Sequence, residues 1–170
     1  MNKESTGSVT DGLVRRPTAR VLLFDAADRI LLMNGRLPGN PDRDGAWFTV
    51  GGGLEPGETW LQAAAREIVE ETGIADFELG PIVWRREGVL NIPHPTLFDE
   101  RYIVARCEGC EPSRGGWQAL EHELIDDIRW WTQPDLAATA EPVFPGGLAQ
   151  RLPDLLAGRY PAEPVLIPWG

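Results

Sequence analysis

At 170 residues, with 42% hydrophobic and 25% charged positions, the chain has the make-up of one globular domain and can bury roughly two-thirds of its unfolded surface without a disulfide or metal staple. Its formal net charge of −10 repels phosphate backbones, which excludes an extended nucleic-acid face but admits a small phosphorylated partner if cations are supplied locally. No apolar run approaches the ~20 residues of a membrane span, the polar opening MNKESTGSVTDG does not read as a leader, and two cysteines are too few for a disulfide framework, so a reducing cytoplasm is the expected compartment.

Residues 1–12 are expected to be a flexible tail and residues 13–170 a single domain. RVLLFD (20–25) and ILLM (30–33) read as a buried hairpin across AADR. The Gly-, Pro-, Asn- and Asp-rich stretch 34–46 reads as a loop, followed by a short strand, WFTV (47–50), that ends on three glycines. Thr59 to Thr72 is the clearest helix: Thr59 and Gln62 make a capping box and Gly73 stands where a left-handed cap falls. Strands are expected at 82–86, 100–107 and 127–131, a loop at 108–122, helices at 134–140 and 147–156, and an extended tail in PAEPVLIPWG. Strands on both sides of a central helix, with helices at the end, suggest an α/β fold with a mixed sheet covered on two faces.

The chemistry concentrates in GGLEPGETWLQAAAREIVEETGI, residues 52–74. At 100° per residue, Glu67, Glu70 and Glu71 share one helical face, while Leu61, Ala65, Ile68 and Thr72 share another that can pack on a sheet. A pair of like charges at ~4 Å repels by about 4 kcal/mol at an effective dielectric near 20. Arg66 is the only adjacent cation in sequence, and a divalent ion would relieve the crowding better. A solvated acidic face is the plain alternative for any Glu-rich helix, but the glycines at 51–53 and 57, which allow close backbone approach and a sharp turn, are more than such a face requires.

This stretch resembles the Nudix box at every fixed position. Gly52 is followed after five residues by Glu58, after seven more by Arg66-Glu67-Ile68, and then by Val69, Glu70-Glu71, Thr72 and Gly73-Ile74. WFTVGG ahead of it, and RWW followed by PDL later, also resemble Nudix and MutT-like chains. The resemblance implies an α/β/α sandwich around a mixed sheet, and water attack on the pyrophosphate of a nucleoside diphosphate linked to another moiety: ADP-ribose, a nucleotide sugar, a dinucleotide or a (d)NTP. It implies Mg²⁺, or Mn²⁺ in its place, on Glu67, Glu70, Glu71 and the carbonyl of Gly51. Glu70, Glu67 and Arg66 would be catalytic, Arg66 by holding the box carboxylates; Gly52 and Gly73 would be supporting, and Glu58 either structural or bonded to a metal-bound water. The general base is a box Glu or a downstream one, with Glu123 preferred over Glu121. A homodimer and a cytoplasmic setting are compatible with the family.

Outside the box, Arg36 in the 34–46 loop and Trp117 are candidates for substrate contact, with solvated-loop roles as the alternative. Arg85 and Arg86 read either as phosphate contacts or as a solvated strand end. Trp47, Trp84, Trp130 and Trp131 read as core. Cys107-Glu-Gly-Cys110 has the spacing of half a zinc site without a second half, so two ordinary thiols are expected. Two competing functions remain open: a nucleotide-binding module without turnover, and a diphosphate isomerase of related fold that would need a reactive Cys.

Overall fold

The computed structural model describes residues 13–36, 44–91, 94–113, 115 and 125–169. Its centre is β1 (Val14–Phe24), buried from Thr18 to Phe24 apart from half-buried Arg20. Successive side chains leave a strand on opposite faces, so an unbroken apolar run needs cover on both. Ala19, Val21 and Leu23 pack under the helix α1 (Trp60–Thr72), whereas Leu22 and Phe24 join the core on the opposite face.

The other strands are β2 (Ile30–Gly35), β3 (Ala46–Gly53), β4 (Phe77–Asn91), β5 (Pro95–Cys107), β6 (Ile125–Trp131), β7 (Val143–Phe144) and β8 (Val165–Leu166). They form one mixed sheet in the order β6-β2-β3-β1-β5-β4-β8, with β7 on β3. β1 runs antiparallel to β3 and parallel to β5. The second core cluster joins this sheet to α2 (Gln133–Ala138) and α3 (Leu148–Leu156) through Trp47, Trp131, Leu136, Leu148, Leu152 and Leu155. The result is the expected α/β/α sandwich.

The hairpin expected from RVLLFD and ILLM is corrected. β1 and β2 meet only at Phe24↔Ile30, and β3 lies between them for the rest of their length. The turn is genuine, with Asp25 Oδ1 accepting from the N–H groups of Ala27 and Arg29, but the strands splay beyond it. The helix face is corrected as well. Ala63, Ala64, Glu67, Ile68, Glu71 and Thr72 are buried, while Leu61 is exposed. Two glutamates thus face the sheet, because the glycine end of β3 leaves room for them.

Pro153 lies inside α3 rather than interrupting it. Proline cannot donate to the carbonyl four residues back, which is that of Ala149. The Gln133 side chain supplies the missing donor, Nε2 to Ala149 O at 3.1 Å, and Leu152 and Leu155 anchor the helix on either side of the break. The tail is more than extended chain, since β8 adds to β4 in parallel register, Trp84↔Val165 and Arg85↔Leu166. Cys107 and Cys110 are joined as a disulfide rather than standing as thiols. Gly109, at φ +61°, turns the chain back so that the strand end and Cys110 meet.

Candidate active site

The box folds where β3 stops and α1 starts. Gly51 has φ +149°, and a Cβ there would run into the Ala19 carbonyl on β1. A Cβ at Gly52 would overlap the Glu67 carboxylate. With both positions bare, the strand backbone approaches the helix carboxylates directly, and the Gly51 N–H donates to Glu71 Oε2 at 3.0 Å. Gly57, at φ +78°, bends the loop into the helix, and the Thr59–Gln62 capping box closes its first turn at 2.9 and 3.1 Å. Gly73 caps the far end in the left-handed region, donating to Val69 O.

Arg66 is the hub. It grips Glu58 through two bonds (Nε–Oε2 2.8 Å, Nη2–Oε1 2.9 Å) and donates from Nη2 to the Gly53 carbonyl at 3.0 Å. Its Nη1 is shared between Glu67 Oε1 at 3.0 Å and Glu70 Oε2 at 3.1 Å. This bidentate grip is guanidinium geometry that an ammonium cannot copy. Arg66's side-chain bond, with the Glu55 N–H behind it, holds the Glu58 carboxyl down to about 2. The same bond to Glu58 raises Arg66 far above its ordinary value, against the effect of its partial burial. Glu58 is therefore a structural partner of Arg66.

Glu67 and Glu71 are buried, whereas the Glu70 side chain is 48% exposed. Among the described residues, no three His, Cys, Asp or Glu side chains form a closed cage. The donors nevertheless suit a hard divalent ion: carboxylate oxygens, a strand-end carbonyl at Gly51, and a glycine cradle that a Cβ would fill. Mg²⁺ keeps several waters and takes substrate oxygens, so it does not demand an all-protein cage.

Behind the box lies a polar network not anticipated from the pattern. Buried Glu100 on β5 accepts from Arg20 Nε at 3.0 Å, from Arg86 Nε and from the Tyr102 hydroxyl at 3.2 Å. Burial alone would push Glu100 up, but the two guanidiniums outweigh it and hold the carboxyl below the usual range. Arg20 pairs in register with Gly51, so the network backs the strand that carries the box. The available signal was a pair of charged residues, Arg20 and Glu100, set into otherwise apolar strands. Arg86 is spent here and is not a solvated strand end, whereas Arg85 is exposed.

Arg36 sits at the end of β2 and pairs with Asp126 at 3.3 Å. Trp117, Glu121 and Glu123 lie outside the described residues. Trp47, Trp84 and Trp131 are core, as expected, and Trp130 packs against the α1-side cluster. A cavity of about 240 Å³, lined by Asp25, Ala26, Ala27, Arg29 and the Gly109–Glu111 turn, lies beyond the C-terminal end of β1, away from the middle of that strand where the box glycines pair.

The family model of the NUDIX domain matches residues 14–152, and the chain belongs to that family. A 55-residue stretch is 40% identical to an RNA pyrophosphohydrolase of Erythrobacter litoralis, covering 32% of this chain and 29% of that relative. The fold matches the solution structure of the E. coli ORF135 protein with TM-score 0.63 at 20% identity, over 92% of this chain and all of that one (100%). It matches a NUDIX hydrolase from Nitrosomonas europaea at 0.61 and 22%, over 87% and 93% of the two chains. An ADP-ribose pyrophosphatase from Streptococcus suis aligns at 0.57 and 18%, over 89% and 98%. Among the described residues, no helix is long and apolar enough to cross a membrane.

Proposed function

We propose that this Nudix-family chain hydrolyses the pyrophosphate of a small nucleotide in which a nucleoside diphosphate is linked to another group, and that it does so with Mg²⁺ or Mn²⁺. The observation that carries the reading is the junction of Gly51–Gly52 with α1, where two buried carboxylates are held against a backbone that has no room for side chains. Glu67, Glu71 and the Gly51 carbonyl would hold the ion, and Glu70 would complete the set by leaving Arg66. An exposed ion pair of that kind is worth ~0–1 kcal/mol and is readily exchanged. The ion supplies Lewis-acid stabilisation of charge on the phosphates.

The residues themselves do the positioning. Arg66 fixes Glu67 and Glu58, the Gly51 N–H fixes Glu71, and Gly53 ties the loop to Arg66 through its carbonyl. A carboxylate, from Glu70 or from the downstream segment bearing Glu121 and Glu123, takes the proton from the attacking water. The test is a panel of ADP-ribose, dinucleoside polyphosphates, nucleotide sugars and (d)NTPs with each metal. A nucleoside monophosphate released from at least one of them is expected. Folded protein that turns over none of them, with either ion, overturns the reading.

A further inference from the structure

We propose that Arg16, backed by Phe98 and Trp169, is a second substrate anchor at the end of the strand that carries the box: the guanidinium takes a phosphate oxygen of the nucleotide, and the exposed part of the Trp169 ring takes its base. The proposal rests on the hydrolase reading and deepens it by naming a subsite.

An anionic substrate needs protein cations as well as a metal, yet most guanidiniums around the box are committed. Arg66 is bound to three glutamates and a carbonyl, Arg20 and Arg86 to Glu100, and Arg15 to Glu87 and Asp99. Arg16 stands apart. It is exposed and has no carboxylate partner among the described residues, in a chain where 26 acidic residues outnumber 16 basic ones. It is also placed: its guanidinium rests over the Phe98 ring, 5.5 Å from the centroid, and a Cβ added at Gly53 would stand 3.3 Å from its Nε. A cation without a carboxylate partner among the described residues therefore adjoins Gly53, the last residue of the strand that carries the box, on the sheet face away from α1.

The wall beside it is built. Phe98 is buried, and its ring centroid lies 6.2 Å from that of Trp169. The Trp169 indole lies flat against the sheet, because a Cβ at Gly88 would overlap the ring. Arg86, two residues back on the same face of β4, sits 4.6 Å from the ring centroid and donates to the Trp169 carbonyl at 3.0 Å. Pairing of β8 with β4, and the Ile167 N–H to Arg85 O at 2.9 Å, hold the approach to Trp169. Gly88 lies against one indole face, Arg86 approaches the same ring, and the side chain is half-buried, so part of the ring reaches solvent. A cation at the end of the strand that carries the box and a partly exposed aromatic ring, joined through Phe98, thus lie along one face of the sheet.

Arg16→Ala, Arg16→Lys, Trp169→Ala and Trp169→Phe test the assignment, by steady-state kinetics on a turned-over nucleotide and by equilibrium binding of ADP-ribose with Mg²⁺. Losing a charge-assisted phosphate contact raises KM about 10- to 100-fold in Arg16→Ala while kcat stays within about 3-fold, and Lys rescues part of it. Losing the stacking face raises KM about 10-fold in Trp169→Ala, with rescue by Phe. Unchanged KM and Kd in both alanine variants overturn the anchor, as does absence of ADP-ribose binding in the wild type together with unchanged KM elsewhere. Wild type that binds ADP-ribose but turns over no nucleotide of the panel with either metal, with Kd weakened in Arg16→Ala, retains the anchor and removes the hydrolase reading.

Discussion

Glu70→Gln and Glu71→Gln separate chemistry from architecture on the same helical turn. Glu70 is half exposed, and its one described contact is the 3.1 Å pair with Arg66, which also serves Glu67. Such a pair contributes ~0–1 kcal/mol, so Glu70→Gln should leave the chemical denaturation midpoint almost unchanged. Glu71 is buried and accepts the Gly51 N–H at 3.0 Å. Glutamine keeps an acceptor oxygen but loses its charge, which weakens a bond of the class worth ~1.5–3 kcal/mol toward the ~0.5–1.5 kcal/mol of a neutral one and loosens the glycine turn with it. Turnover falls in both variants, by at least about 100-fold for Glu70→Gln if it completes the metal set or serves as base. The assays are urea melts without metal and initial rates with Mg²⁺ on the best substrate of the panel. Near-normal turnover in Glu70→Gln would remove that residue from the mechanism. Equal stability loss in the two variants would refute the division into a buried supporting carboxylate and an exposed working one.

Glu58 gives a pH signature. Its folded pKa, about 2, lies below its ordinary 4.5, so the unfolded chain binds the extra proton and stability falls as pH drops from about 5 toward 2. Urea melts across that window should show a shallower acid loss in Glu58→Gln than in the wild type, and parallel curves would contradict the Arg66 grip. Gly52→Ala places a methyl on the Glu67 carboxylate, so it should abolish metal-dependent turnover and lower the melting temperature by several degrees; a silent variant in calorimetry and rate assays would mean that the close approach is not needed. Gln133→Ala leaves the Ala149 carbonyl without the donor that Pro153 cannot supply, at a cost of about 1 kcal/mol in denaturation, and Gln133→Ala combined with Pro153→Ala should recover most of it.

The helix of the box was legible to the residue because its caps, Thr59, Gln62 and Gly73, are local chemistry. The central strands were legible from apolar runs. Their pairing was not: the insertion of β3 between β1 and β2 is decided by contacts across the whole sheet, and a short turn such as AADR looks the same whether its strands stay together or splay. β7 and β8 escaped notice because two residues carry no period. The box carboxylates were identified by spacing, yet their inequality was invisible, since it depends on the sheet that α1 packs against. Glu100, buried between two guanidiniums, was passed over for the same reason: its partners are 80 and 14 residues away in sequence.

Crowded glutamates on one turn suggested an ion as the natural relief of their repulsion. Arg66 and the Gly51 N–H already provide much of that relief, with one guanidinium touching Glu58, Glu67 and Glu70 and one amide satisfying Glu71. Crowding alone therefore does not require a cation. The stronger physical reason for one is the substrate: a diphosphate carries charge that an acidic chain must offset, and among the described residues the guanidiniums beside the box, Arg66, Arg20 and Arg15, are already paired with carboxylates. A carboxylate set that is stable without metal, and completed only when Glu70 exchanges Arg66 for an ion, should bind Mg²⁺ weakly by itself and more tightly with a phosphorylated ligand present. Titration calorimetry of Mg²⁺ with and without AMP measures that coupling. Metal affinity that is tight and indifferent to AMP would show that the ion belongs to the fold rather than to the substrate.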